Sequence, residues 1–225
     1  LVLNTGRVRD HWHTMTRTGK SARLSSHVAE PYAEINIADA LRFALVHGTT
    51  PGNDQRFGSA KVENARNFAN KLWNATRFVL GARPVSIPED ATRIAPDPAA
   101  LGPIERWIRS RTAATIEATD RALDTYQLAE VTRTLLEAIW SELCDWGVEM
   151  AKVRLSDANL SDAEREATWW TLVEALDTYL RLLHPVMPFV TEALWGALPH
   201  AADDPELLIV ARWPVAGMRD EVAER

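Results

Sequence analysis

Between Arg56 and Arg83 the chain gathers the side chains that hold phosphates and nucleobases. Arg56, Lys61, Arg66, Lys71, Arg77 and Arg83 stand against Glu63 alone, and Asn67, Asn70, Asn74 and Phe78 lie among them. An aromatic ring gives an unstacked base a flat surface to stack on, an Asn amide can donate to and accept from a base edge, and cations attract phosphate. Such groups act together only if they share a face. At about 100° per residue, with Phe68 at zero, a helix from Ser59 to Leu80 puts Asn67, Asn70, Lys71, Asn74 and Phe78 between about 200 and 300°. Val62, Ala65, Ala69, Leu72, Thr76, Val79 and Leu80 form an apolar arc between about 20 and 120°. The pattern has a second reading, in which Phe78 packs against the Pro-rich 82–100 segment and the amides are solvated.

Other helices must support that face. Ile37, Leu41, Ala44 and Leu45 recur at helical spacing over about 36–47, with Gly48 as a stop. Gly81 ends the 59–80 helix, and Pro84, Pro88, Pro96 and Pro98 keep 82–100 irregular. Pro103 opens a helix to about 123, with Ile104, Trp107, Ile108, Arg111, Thr115 and Ile116 on its face. A third long helix is expected over about 127–153. A fourth begins at Ser161, whose reciprocal cap with Glu164 is legible in the spacing, and runs to about Leu183. A shorter helix follows Pro185 and Pro188, carrying Thr191, Leu194 and Trp195. The β-branched run 207–213 reads as a short strand. The expected fold is a mainly α helical bundle, residues 58–225, preceded by a connecting segment, residues 1–57, with one short helix.

Composition excludes several functions. The 225 residues carry a formal charge of −6, so general affinity for polyanions is not expected and the basic 56–83 stretch is a local exception. One cysteine, Cys144, permits no internal disulfide and no zinc ribbon, which fits a reducing setting, and the absence of a targeting signal makes a cytoplasmic one the expectation. No apolar run is long enough to span a membrane. His11 and His13 lack acidic or thiol neighbours at ligand spacing, so no metal site is expected. His184 reads as helix-terminal structure and Cys144 as a core residue. No Ser-His-Asp set or Gly-rich phosphate loop is present. The chain starts at Leu1 and is expected to be an excised or processed segment.

Three ordered passages carry a family resemblance. DALRFALVHGTTPGNDQRF (39–57) with VENARNFANKLWNATRFVL (62–80), then IWSELCDWGVEMAK (139–152), then LHPVMPFVTEALW (183–195), resemble the region that follows the catalytic core in valyl-tRNA synthetases, which are class I aminoacyl-tRNA synthetases. The likeness spans about 39–213. It implies an anticodon-binding helical bundle with tRNA-binding roles for Phe78 and Arg56; together with the polar helix face read above, the candidate tRNA-binding residues are Arg56, Lys61, Asn67, Lys71, Asn74 and Phe78. A family aromatic matching Phe78 stacks on an anticodon base, and Arg56 matches a basic residue that helps to hold the loop. A second family arginine falls at Ala60, beside Lys61. Gly147 stands where the family has a bulky aromatic.

The resemblance also locates a KMSKS-like loop at Thr14, Met15, Thr16, Arg17 and Thr18, degenerate because Thr14 and Arg17 replace its two lysines. No HIGH-like motif and no room for the nucleotide-binding βαβ units exist, so the chain alone is expected to be non-catalytic. The implied partners are tRNA for valine and the catalytic domain of a parent valine–tRNA ligase. ATP, with or without Mg, belongs to that parent, and no cofactor is expected in this segment. A competing expectation is a synthetase-derived bundle that meets a protein partner and has no tRNA-binding activity.

Overall fold

Apolar residues that recur on every side of one helix require other helices all around it. Asp162–Leu183 has this character: Trp169, Leu172, Val173, Leu176, Tyr179, Leu180 and Leu183 are all buried. In the computed structural model, which describes residues 36–49 and 57–224, this helix is the centre of a bundle. The described residues belong to one compact unit, 36–225. Arg56, the Thr14–Thr18 segment, His11 and His13 lie outside the described residues.

The elements are α1 (Ile37–Val46), α2 (Ser59–Gly81), α3 (Pro103–Asp124), α4 (Leu128–Leu136), a π-helical segment (Glu137–Gly147), α5 (Val148–Ser156), α6 (Asp162–Leu183) and α7 (Pro188–Trp195). Helices α2, α3, α4, α5 and α7 all touch α6. Their ends are closed by side chains. Ser161 N donates to Glu164 Oε2 at 2.9 Å and Glu164 N to Ser161 Oγ at 3.3 Å, the reciprocal cap expected from the sequence. Trp169 Nε1 reaches across from α6 to the Val79 carbonyl at 2.7 Å, satisfying an acceptor in the last turn of α2. Buried Glu105, at the start of α3, accepts from Arg154 Nε at 2.8 Å and from Thr168 Oγ1 at 2.7 Å, tying α3, α5 and α6 together.

Three expectations are corrected. The run 207–213 is not a strand: it holds a 3-10 turn, Leu208–Val210, and Ile209 and Val210 are exposed. A strand needs a neighbouring ladder, and none exists among the described residues. The Glu192 carboxylate takes the free donors instead, accepting from Leu208 N at 2.8 Å and Ile209 N at 3.3 Å. The single helix expected over 127–153 is interrupted by the π-helical segment, whose wider turn a 3.6-residue periodicity does not register. Gly147 sits at its end, where an added Cβ would lie 3.3 Å from Ile108 Cγ1, so a small residue lets α3 approach.

The third correction concerns α1. Ile37, Leu41 and Leu45, which share a helical spacing with Ala44, face outward, while Asp39, Ala40, Phe43 and Ala44 are buried. Asp39 sets this orientation. Its carboxylate accepts from Val190 N at 2.6 Å and Phe189 N at 3.2 Å, capping α7, and Phe43 packs on Phe68 with ring centroids 5.1 Å apart. Burial pushes the Asp39 carboxyl above its usual range, and the two N–H donors oppose that shift.

Candidate nucleic-acid interface

The α2 arc expected to be apolar is the buried one: Ala65, Phe68, Ala69, Leu72, Ala75, Thr76 and Val79 face the bundle. Val62 and Leu80, at the edge of that arc, are half-buried. On the other side Asn67 is exposed, and Asn70, Lys71, Asn74 and Phe78 are half-buried. The structure groups these residues in two places along the helix.

At the N-terminal half of α2 a cleft of about 350 Å³ opens between α1, α2 and the π-helical segment. Lys61, Asn64 and Asn67 line one side, Trp140 and Ser141 the other, and His47 one end, with Phe43 and Phe68 beneath. His47 stacks on Phe43 with centroids 5.1 Å apart, and its Nδ1 is 3.3 Å from Thr132 Oγ1. Burial, and then the charge of Lys61, hold the His47 pKa below the ordinary imidazole value, so the ring is neutral at pH 7. Lys71 borders the cleft. Its Nζ lies 5.4 Å from the Trp140 ring centroid and 2.7 Å from Asp145 Oδ1, and that hydrogen bond raises its pKa. The cleft therefore presents a flat aromatic wall, amide edges and a cation, the three contacts that an unstacked nucleotide uses.

Beyond it along α2 lie Asn74 and Phe78. Phe78 is neither sunk in the bundle nor bare: Lys152 Nζ of α5 sits 5.0 Å above its ring centroid. Lys61 and Asn67 thus share the cleft, Lys71 sits at its rim, and Asn74 and Phe78 form a separate station. Trp140, His47 and Lys152 were not singled out from the sequence. Trp140 and Lys152 sit in the 139–152 passage, but only the docking of that passage against α2 shows that both face it. Among the described residues no cluster of His, Cys, Asp and Glu could hold a metal ion. Cys144 is buried and its thiol is pushed up to about 12, so it is no nucleophile.

The bundle thus lays aromatic, amide and cationic side chains along one helix and its neighbour, the groups that contact unstacked nucleotides. Its fold is similar to part of a LeuRS from Agrobacterium radiobacter K84, solved as a ternary complex with tRNA and LeuAMS. The TM-score is 0.58 at 15% identity, covering 83% of this chain and 20% of that one. Residues 105–224 match the family described as the anticodon-binding domain of tRNA ligase, and the chain belongs to that family.

Its relatives include the valine–tRNA ligases of Symbiobacterium thermophilum (43% identical, 87% of this chain, 22% of theirs) and Carboxydothermus hydrogenoformans (45%, 79% and 19%). That of Dehalococcoides mccartyi is 42% identical over 94% of this chain and 24% of its own length. The chain therefore spans about a fifth to a quarter of the length of these relatives. Residues 1–62 also match a molydopterin dinucleotide binding domain. That match covers little of the described bundle, whereas the Dehalococcoides likeness extends over nearly the whole chain.

Proposed function

We propose that this chain recognises the anticodon stem and loop of valine tRNA as one region of a valine–tRNA ligase. The observation that carries the reading is the α2 face, where Lys61, Asn67 and Trp140 share a cleft and Asn74 and Phe78 continue the same side of the helix. Bases splayed from the loop stack on the two aromatic rings, Asn amides meet their edges, and Lys61, Lys71 and Arg56 hold phosphates. The kinship with valine–tRNA ligases supports the choice of valine, and no observation favours a bundle that meets only a protein partner.

In this reading residues 1–57, whose helix α1 itself packs on the 58–225 bundle, lead to the parent enzyme's catalytic domain, where ATP, with or without Mg, is used, and Thr14–Thr18 are a degenerate KMSKS-like loop. The bundle itself performs no chemistry, and the setting is the cytoplasm. No described helix is long and apolar enough to cross a membrane. The outward residues Ile37, Leu41 and Leu45, next to an apolar hollow of about 290 Å³ lined by Leu45, Leu128, Val186 and Trp213, suit the catalytic domain as a neighbour.

The test is fluorescence binding of the chain to an RNA hairpin with the valine anticodon, beside hairpins with altered anticodon bases. Preference for the valine hairpin that disappears in Phe78→Ala supports the reading. Equal binding to every hairpin, or none at low salt, overturns it.

A further inference from the structure

Two lysines sit over aromatic rings on the α2 side of the bundle, and they are held differently. Lys71 covers Trp140 and bonds Asp145, so its ion pair joins α2 to the π-helical segment. Lys152 covers Phe78 at 5.0 Å, but its partner is Glu149, 2.5 Å away and one turn back on its own helix. Releasing Lys71 removes a link between two elements. Releasing Lys152 from Glu149 leaves α5 intact.

Both restraints on Lys152 are weak ones. Its side chain is 42% exposed and that of Glu149 57%, and an exposed ion pair within one helix or a solvated cation over a ring contributes little. A base that stacks on Phe78 from the α5 side meets the ammonium on that ring face. That base also brings a phosphate with a full negative charge. An ammonium displaced from the ring stays on its four-carbon stem beside the incoming nucleotide, where phosphate is a stronger partner than either the ring or a solvated carboxylate.

We propose that Lys152 is an RNA-contact residue that caps Phe78 in the free protein and moves onto the phosphate of the nucleotide whose base replaces it. Glu149 is the counter-ion it leaves. The cap keeps a half-buried ring covered until a ligand arrives, and the exchange couples stacking to a phosphate contact. A ligand with a flat ring and no phosphate gains only the stacking. This inference rests on the reading of the α2 side as an RNA-binding face.

The experiment measures binding of the whole chain to the valine-anticodon hairpin between about 50 and 200 mM salt, where each phosphate contact on a single strand adds about 0.7 to the slope of log affinity against log salt. Lys152→Ala is expected to weaken binding about fivefold or more at the lowest salt and to reduce the slope by about 0.7, while Lys152→Arg keeps it. Phe78→Ala should weaken binding at unchanged slope. Glu149→Gln should tighten binding in the natural chain and have no such effect beside Lys152→Ala, which separates release of Lys152 from simple loss of a negative charge. Thermal unfolding of each variant confirms an intact bundle.

A wild-type slope in Lys152→Ala, with binding still lost in Phe78→Ala, overturns this proposal alone. An equal effect of Glu149→Gln in both backgrounds overturns it too. No selective binding by the natural chain overturns the underlying reading and this inference together.

Discussion

Ion pairs and aromatic rings occur in two regions of this bundle with opposite consequences. Near the C-terminal end of α6, Arg93 pairs with Asp177 and with Asp204 at 2.8 Å, Arg181 pairs with the same two carboxylates at 2.9 and 2.6 Å, and Trp195 Nε1 donates to Asp177 at 2.7 Å. The four charged side chains are between 8 and 14% exposed. On the α2 side, Lys71–Asp145 and Lys152–Glu149 use the same chemistry with side chains 35 to 57% exposed. Charge withdrawn from water must be fully paired and cannot exchange partners without large loss, so the first region fixes structure. Charge left in water is weakly held and can change partner, so the second can receive a ligand.

The sharpest way to break this contrast is Asp177→Ala. It leaves Arg93 and Arg181 short of a carboxylate and Trp195 Nε1 without its acceptor, all withdrawn from water. Removing one partner of such a network costs about 3–5 kcal/mol, or roughly 6–20 °C in melting temperature for a domain of this size. Denaturant or thermal unfolding measures it, and a loss below about 1 kcal/mol would place this network with the exposed pairs. Phe78→Ala tests the other region. It is expected to reduce affinity for the valine-anticodon hairpin by about 1–3 kcal/mol, the range for one base stack, with a much smaller change in melting temperature. Equal affinity in variant and natural chain would mean that the ring serves packing only.

A smaller effect is expected from Asp145→Asn. The pair with Lys71 is solvated, so stability should change by no more than about 1 kcal/mol. Hairpin binding at low salt should tighten, because Lys71 is freed and a negative charge leaves the cleft rim. Weaker binding would show that Asp145 is needed to aim Lys71 across Trp140.

The division between these regions was legible in the sequence only where local periodicity governs it. The buried and water-facing arcs of α2 follow from the spacing of Ala65, Ala69, Leu72 and Val79, and the Ser161–Glu164 cap from residue types three apart. The partners were not legible. Asp39 meets α7 about 150 positions away and thereby turns Ile37, Leu41 and Leu45 outward, against the pattern of α1 itself. Trp140 reaches the cleft because a π-helical segment carries it there, and Lys152 reaches Phe78 only through tertiary packing. The run 207–213 has strand-like residue types, yet with no ladder beside it, it settles on the Glu192 carboxylate.

The C-terminal tail lies between the two extremes and sharpens the contrast by its response to acid. Glu224 accepts from Ser110 Oγ, from Arg219 Nη2 at 2.7 Å and from Arg111 Nη1 at 3.3 Å, pinning the tail to α3. The Arg219 and Ser110 hydrogen bonds lower its pKa to about 2, against about 4.5 for an unperturbed Glu. A carboxyl whose folded pKa is depressed adds stability that is complete above the unfolded value and is lost as pH falls toward the folded one. Hydrogen exchange at the Asp220, Val222 and Ala223 amides is therefore expected to lose protection as pH drops from about 4.5 to about 2, after correction for the intrinsic pH dependence of exchange. Glu224→Gln should show the weaker protection already at neutral pH and little further change over that range. The bundle core should be nearly indifferent to Glu224→Gln, because the residue fastens only the tail. An unchanged acid response in the variant would transfer the effect to Asp220, whose carboxylate is held low by Arg106 on the same surface of α3.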